Sequence, residues 1–273
     1  MDFRIFLALL LFFYAFFAFA CWKYEESAKS QDKALNSLPV APALTPVEIP
    51  TPEASRTPNL QAEILSDENK SSGFPIANFD FKNFKYPLPR GWQDFDSKEA
   101  ELVDGKRPIF MESDNKRERK IGLSYLTTKF FDVTGDEEDE AIVILQVETG
   151  GASIPHLVYI FTWEKDAPKL LWYFRTGDRA DGGLKNIYSQ DGKLVIELYG
   201  QDRYVVGEVE TARIMNDEEQ ICCPTHFTKS YYKWNGKYFA LQGKRLTFSL
   251  IDKDAKPIEN MIELVEKQNR ARK

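Results

Sequence analysis

From Phe79 onward the apolar residues fall in short runs, and each run is closed by Gly, Asp or Asn. The runs are rich in Val, Ile, Tyr, Phe and Trp, the residues that favour β-strands. We predict strands near residues 120–131, 140–148, 156–163, 169–175, 184–189, 193–199, 203–212, 226–234 and 237–249. The dipeptides Asp104-Gly105, Asp191-Gly192 and Asn235-Gly236 supply the positive φ of tight hairpin turns, so neighbouring strands are expected to be antiparallel.

The last stretch of the chain has helical spacing instead, with apolar residues on one face at Ile258, Met261, Ile262 and Val265. Its basic end suits the dipole of a helix. Such a helix either packs on the sheet or contacts a partner or a membrane surface. The pattern therefore predicts a mainly β fold: an antiparallel meander or sandwich-like domain over residues 77–252, followed by a helix over residues 253–273.

The N-terminus carries an uncharged apolar run over residues 5–22, between Arg4 and Lys23. A run of about 18 apolar residues lies on the border between a signal-peptide core and a short transmembrane helix. Residues 1–21 are therefore predicted to be a signal peptide or a membrane anchor. Because Cys21 follows Ala20, the site resembles the lipobox of bacterial lipoproteins. Lipidation at Cys21, an uncleaved anchor and free secretion stay open.

Residues 22–76 have a different composition from the rest of the chain. Prolines recur every few residues, and no aromatic residue occurs between Tyr24 and Phe74. A segment of this kind offers little apolar surface for a core. We predict a disordered linker that tethers the β domain to the N-terminal segment.

Net charge restricts the class of partner. The chain has a formal charge of -6 and a pI near 5.2. A nucleic-acid-binding protein would be expected to present a basic face and a high pI. We therefore expect no nucleic-acid partner. The expected partners are the membrane, through the N-terminal anchor, and an envelope protein or ligand that the sequence does not identify.

The densest cluster of charge is an acidic loop over residues 132–140, which runs directly into the apolar strand predicted at 140–148. Oxygen-bearing side chains at alternate positions suit Ca²⁺, which needs six to eight oxygen ligands. The loop resembles the Asp-rich loop of FG-GAP and VCBS repeats, which binds Ca²⁺ between two strands. That resemblance implies side-chain ligands at Asp132, Thr134, Asp136 and Glu140, and a carbonyl ligand at Glu138. A metal-free acidic turn is the alternative.

A wider likeness covers residues 79–245. The stretches DVTGDEEDEAIVIL, TGGAS and CCPTHF resemble a group of exported bacterial proteins, often lipoproteins, with a GDxxGDG-DEA-V-L, GGS and CCP pattern. That group has no assigned activity. The resemblance therefore implies an exported location and a folded domain, and it implies no mechanism.

Two further clusters are candidates for chemistry. Cys222 and Cys223 are adjacent, and the spacing of about 3.8 Å between neighbouring Cα atoms is below the usual range for a disulfide. A strained disulfide between Cys222 and Cys223, two buried thiols, and a redox or metal site stay open. In the loop over residues 176–183, Arg179 lies between Asp178 and Asp181. These charges either hold the turn or face a ligand.

We therefore expect an exported protein that is anchored to the bacterial membrane and faces the periplasm or the cell exterior. Its expected role is non-enzymatic, either binding or structural, with Ca²⁺ as a stabilising ion if the acidic loop binds it. The alternative is an exported hydrolase using the loops around Asp136, Ser153, Asp178 and His226. Convergence of these four residues would favour the hydrolase, because catalytic groups must meet in one cleft.

Overall fold

The computed structural model describes residues 63–93, 96–112, 114, 118–151, 153–179, 181–206, 210–212 and 223–260. Its helical elements are short: a 3-10 turn at Pro75–Asn78 and an α-helix, α1, at Arg90–Gln93. Within the described residues there is no helix with the length and apolar character needed to cross a membrane. The predicted mainly β, antiparallel fold is confirmed.

Two strands of the N-terminal part pair with each other: β1 (Lys85–Pro87) and β2 (Glu99–Glu101). The first large sheet follows in chain order and is an antiparallel meander. Its strands are β3 (Lys106–Arg107), β4 (Gly122–Phe131), β5 (Glu140–Glu148), β6 (His156–Glu164) and β7 (Ala167–Arg175). Each strand pairs with the next, as short connections between antiparallel neighbours require.

The strands that follow in the described residues are β8 (Leu184–Gln190), β9 (Lys193–Tyr199), β10 (Tyr204–Val206), β11 (Glu210–Ala212), β12 (His226–Trp234), β13 (Phe239–Ser249) and β14 (Ile258–Asn260). Five of them form the second large sheet, in the order β14-β13-β12-β9-β8. β10 and β11 form a separate antiparallel pair between β9 and β12. β12 therefore pairs with β9 although β10 and β11 lie between them in the sequence.

The two large sheets enclose one apolar core. Ile142 and Ile144 of the first sheet are fully buried in the same cluster as Ile196 of the second. At the other side of the core, the indole ring of Trp172 stacks on Phe239 with 5.4 Å between ring centroids. The arrangement is a β-sandwich, since side chains from two facing sheets fill the space between them.

The opposite face of the first sheet is buried as well. Residues 74–93 and 96–102, called the cap here, pack on it through a second apolar cluster. Tyr159 of β6 lies under Tyr86 of the cap, with 4.8 Å between ring centroids. The Tyr159 hydroxyl also donates a hydrogen bond of 2.9 Å to the carbonyl of Pro87. Burial on both faces explains why β5 contains the unbroken apolar run over residues 141–145.

A segment over residues 63–72, called the strap here, joins the two sheets along one side of the sandwich. The Glu63 carboxylate accepts a hydrogen bond of 2.6 Å from Lys185 of β8, and the Glu63 carbonyl accepts one of 3.0 Å from Lys129 of β4. Ile64 is fully buried in the core of the sandwich. Further along, the Asn69 carbonyl accepts a bond of 2.7 Å from the Phe130 amide.

The strap changes the predicted boundary between linker and domain. We predicted a linker over residues 22–76, but residues 63–76 pack on the domain, and residues 22–62 lie outside the described residues. The composition of the segment did not indicate this contact, because the segment has few apolar residues, of which Ile64 and Ile76 are fully buried. Hydrogen bonds of Glu63 to Lys185 and Lys129 add to the contact.

The predicted C-terminal helix is also corrected in part. Ile258–Asn260 form a strand that pairs with residues 245–247 of β13. Pairing with a neighbouring strand satisfies backbone groups that a helix would satisfy locally, so helical spacing of a few apolar residues does not decide the outcome. Residues 261–273 of the predicted helix lie outside the described residues.

The predicted hairpin turns are confirmed. Asp104, Asp191 and the glycine after each have positive φ, and so does Gly236. The strand bounds agree with the prediction to within a few residues, except that the segment predicted at 203–212 forms two strands, β10 and β11. Turn chemistry and apolar runs therefore located most strands of both sheets.

The buried position of Ile64 leads to a test of the strap. Ile64→Ala should lower the free energy of unfolding by about 2–5 kcal/mol, because it leaves a cavity in the core. Leu65→Ala is the matched control: Leu65 is 37% exposed, and its loss should cost about 0.5 kcal/mol or less. Urea denaturation measures both, and equal effects would contradict the assignment of residue 64 to the core.

Candidate functional site

Strand direction divides the candidate residues between the two ends of the sandwich. The acidic loop follows β4 and precedes β5, so it lies at one end of the first sheet. The loops containing Ser153 and Asp178 follow β5 and β7, so they lie at the opposite end. A strand of nine residues separates the ends by about 30 Å. His226 begins β12 beside Gly200, at the same end as Asp178.

The acidic loop is closed by its own hydrogen bonds. The carboxylate of Asp132 accepts bonds from the backbone amides of Thr134, Gly135 and Glu137 at 3.1, 2.6 and 3.1 Å. The Asp136 carboxylate accepts a bond of 3.0 Å from the Glu138 amide. Asp residues commonly hold turns in this way, since their short side chains reach backbone N–H groups two or more residues on.

Glu140 points inward from the first residue of β5. Its side chain is fully buried, and its carboxylate accepts bonds of 2.9 and 3.2 Å from the amides of Val133 and Thr134. Burial raises the pKa of Glu140 to about 7; the Val133 hydrogen bond opposes this rise, and the nearby Asp136 and Asp132 add to it. Glu140 is therefore part of the core and joins the start of the loop to the start of β5.

Three of the five predicted calcium ligands are acidic side chains, those of Asp132, Asp136 and Glu140. In the part of the chain that the structure describes, no group of three or more His, Cys, Asp or Glu side chains is placed to hold a metal ion. The carboxylates of Asp132 and Glu140 instead bond to amides of the loop itself. Calcium binding by the acidic loop stays a prediction.

The loop over residues 176–183 is wound tightly by its glycines. A Cβ atom on Gly177 would lie 1.7 Å from the Asp181 carbonyl oxygen, and one on Gly183 would lie 2.4 Å from the Arg179 carbonyl oxygen. Atoms cannot approach this closely, so only glycine fits at either position. Arg179 itself has a φ of 38°. The loop is therefore a tight turn that requires glycine at both positions.

The carboxylates of this loop make structural contacts. Asp178 accepts a bond of 3.0 Å from the Ile154 amide in the neighbouring loop, and Asp181 accepts one of 2.8 Å from the buried guanidinium of Arg203. Arg179 lies 3.5 Å from Asp178. These bonds favour the hypothesis that the charges hold the turn. A ligand at Asp178, Arg179 and Asp181 stays a prediction.

The four residues of the hydrolase alternative do not meet in one site. Asp136 lies at the opposite end of the sandwich from Ser153 and Asp178. The His226 ring nitrogen Nδ1 lies 2.9 Å from the Thr225 hydroxyl, and within the described residues it has no carboxylate as a hydrogen-bond partner. A hydrolase triad requires the base to be oriented by an acid and to reach the nucleophile.

The cysteine predictions fall mostly on residues that the structure does not describe. Cys223 is exposed at the residues leading into β12. Cys21 and Cys222 lie outside the described residues. Lipidation at Cys21 and a disulfide between Cys222 and Cys223 therefore stay predictions.

The structure also reveals a surface that the sequence analysis did not identify, the outer face of the second sheet. On β12, Phe227, Lys229, Tyr231 and Lys233 alternate with residues that face the core. The Lys229 ammonium lies 5.2 Å from the ring centroid of Tyr188 on β8 and 5.5 Å from that of Tyr231. The period of two along β12 was visible in the sequence, but it did not show which face would meet solvent.

A buried acid at the centre of this face is neutralised by its neighbours. The Glu197 carboxylate accepts bonds of 2.7 Å from Lys185 and 2.9 Å from the Tyr188 hydroxyl. Lys229 lies 3.9 Å away on the other side. A carboxylate with this much burial requires such partners, since an unpaired buried charge is costly. The face therefore presents lysines and aromatic rings, while its acid is held by internal contacts.

Comparison of the chain with protein-family models, with curated proteins and with solved structures found no match. The resemblance to exported bacterial proteins therefore stays a prediction. Function has to be inferred from the geometry of the described residues.

The calcium prediction has a direct test. Ca²⁺ added to the chelator-treated protein is expected to raise its melting temperature by several degrees, because a cation that binds only the folded loop stabilises it by mass action. Asp136→Asn should remove the rise, and Asp166→Asn, in the turn after β6, should keep it. No rise at millimolar Ca²⁺ would leave the loop as a metal-free turn.

A buried histidine predicts how stability depends on pH. Burial lowers the pKa of His156 to about 4, with the nearby Asp178 opposing the shift. In the unfolded chain the imidazole of His156 has a pKa near 6.5. Burial of the neutral ring therefore contributes its full stabilisation above pH 6.5, and this is lost as the pH falls through about 4. Between these pH values the free energy of unfolding falls by about 3 kcal/mol.

His156→Gln should remove this part of the pH dependence, which urea denaturation between pH 7 and pH 4 would show. His226→Gln, at the only other histidine of the sequence, is the matched control and should keep the wild-type slope. Identical slopes for His156→Gln and the wild type would contradict the burial of the neutral imidazole.

Proposed function

We propose that this protein is a membrane-anchored module of the cell envelope with a non-enzymatic binding role. The observation that carries the proposal is the separation of the candidate catalytic residues. Asp136 lies about 30 Å from the loops of Ser153 and Asp178, because β5 stands between them. Asp136 therefore cannot act on a substrate bound at the other end, which Ser153, Asp178 and His226 share.

The buried titratable groups support the same proposal. Functional sites often reveal themselves by perturbed pKa values in a cleft. Here the pKa of Glu140 is raised to about 7 and the pKa of His156 is lowered to about 4. Both side chains are buried, and they occupy opposite ends of the first sheet. Their shifts therefore come from packing into the core.

The outer face of the second sheet supports a binding role. It combines aromatic rings with lysines on a broad surface, as at Lys229 between Tyr188 and Tyr231. Surfaces of this kind bind through contact area and charge. The anchor part of the proposal rests on the apolar run at residues 5–22, and the predicted linker would hold the domain outside the cell membrane.

The proposal is tested against the hydrolase alternative. The full chain and a Ser153→Ala variant are incubated with a serine-directed fluorophosphonate probe and with a panel of ester substrates. We expect no difference between them, because His226 has, within the described residues, no carboxylate hydrogen-bond partner to orient it as a base. Labelling or turnover that disappears in Ser153→Ala would overturn the non-enzymatic role.

A further inference from the structure

The outer face of the second sheet is basic, although the whole chain is acidic. Among the described residues its lysines are Lys185, Lys193, Lys229, Lys233 and Lys244. The carboxylates beside them are Glu197, Glu259 of β14 and, at the edge, Glu63. The described residues therefore leave two positive charges on this face of a chain whose formal charge is -6. The internal bonds of Glu197 leave Lys193 and Lys233 to attract an anion.

Aromatic rings lie among these charges. Phe227 stacks on Phe248 of β13 with 5.2 Å between ring centroids and 14° between their planes. The Lys185 ammonium lies 4.3 Å from the Phe227 ring centroid. Tyr231 is partly exposed beside Lys229. The side chains of five strands form this face, so a ligand would lie along a broad surface rather than in an enclosed pocket.

We propose that this face binds an acidic polysaccharide. The inference rests on the proposed function, because it gives the binding module its surface and its class of partner. Sugar rings present apolar faces that pack on aromatic side chains, and Tyr231 is partly exposed on this face. Carboxylate or phosphate groups on the polymer pair with Lys193 and Lys233. An extended polymer also suits a surface formed by parallel rows of side chains.

The same face is a poor match for a lipid surface. Binding in the plane of a membrane requires apolar side chains that enter the interface, in addition to basic residues. The large apolar side chains with the most exposure in the described residues lie elsewhere: Leu65, Val103, Phe110, Tyr238, Ile251 and Ile258. On the outer face the aromatic rings are instead packed between lysines.

The test uses the full chain in neutral detergent, with polygalacturonate as the acidic polysaccharide and dextran as the neutral control. We expect binding to polygalacturonate that weakens as salt screens the charges, and no binding to dextran. Lys233→Gln removes an exposed charge without disturbing the core, and it should weaken binding about three- to tenfold. Tyr231→Ala should weaken it as well.

Lys106→Gln is the matched control, because it removes the same charge from an exposed position on the first sheet. Its affinity should equal that of the wild type. Equal losses in Lys106→Gln and Lys233→Gln, or no binding to polygalacturonate, would overturn the proposal. The proposal would also be overturned if phosphatidylglycerol, and not polygalacturonate, protected Lys193 and Lys233 from an amine-acylating reagent. None of these results depends on Ser153. Failure of polysaccharide binding can therefore be distinguished from failure of the proposed non-enzymatic role.

Discussion

Burial of the first sheet on both faces is the constraint on which the rest of the fold depends. β5 and β6 contribute alternate residues to two apolar clusters, one shared with the second sheet and one shared with the cap. Neither strand could remain in water with one face uncovered, because each buried aliphatic side chain is worth about 1.5–3 kcal/mol. The second sheet and the cap are therefore both required to bury the first sheet.

Charged side chains fix how these layers meet. Lys185 bonds to Glu197 of its own sheet and to Glu63 of the strap. At the far end, the fully buried Arg245 bonds to Asp202 at 2.6 Å, and its guanidinium carbon lies 4.1 Å from the ring centroid of Tyr204. Buried ions contribute specificity more dependably than stability, because desolvation offsets much of their attraction. They therefore determine where strap, sheets and loops join.

This use of polar groups explains why the charge-rich loops look like sites in the sequence and act as structure in the fold. Asp132 and Glu140 satisfy backbone amides of the acidic loop, and Asp178 and Asp181 join loops at the opposite end. In contrast, Lys233 on the outer face of the second sheet is exposed. This exposed charged side chain lies on a sheet face, and the sequence pattern does not show which face of a strand meets solvent.

The sequence by itself determined the strands and their turns, because both depend on neighbouring residues: the apolar run at 141–145 and the dipeptide Asp191-Gly192 act locally. Only the tertiary structure decided which strands share a sheet and which face of β12 meets solvent. It also placed Ile64 in the core and Ile258–Asn260 in a strand. These outcomes depend on contacts between residues far apart in the chain, and local propensity carries no information about such contacts.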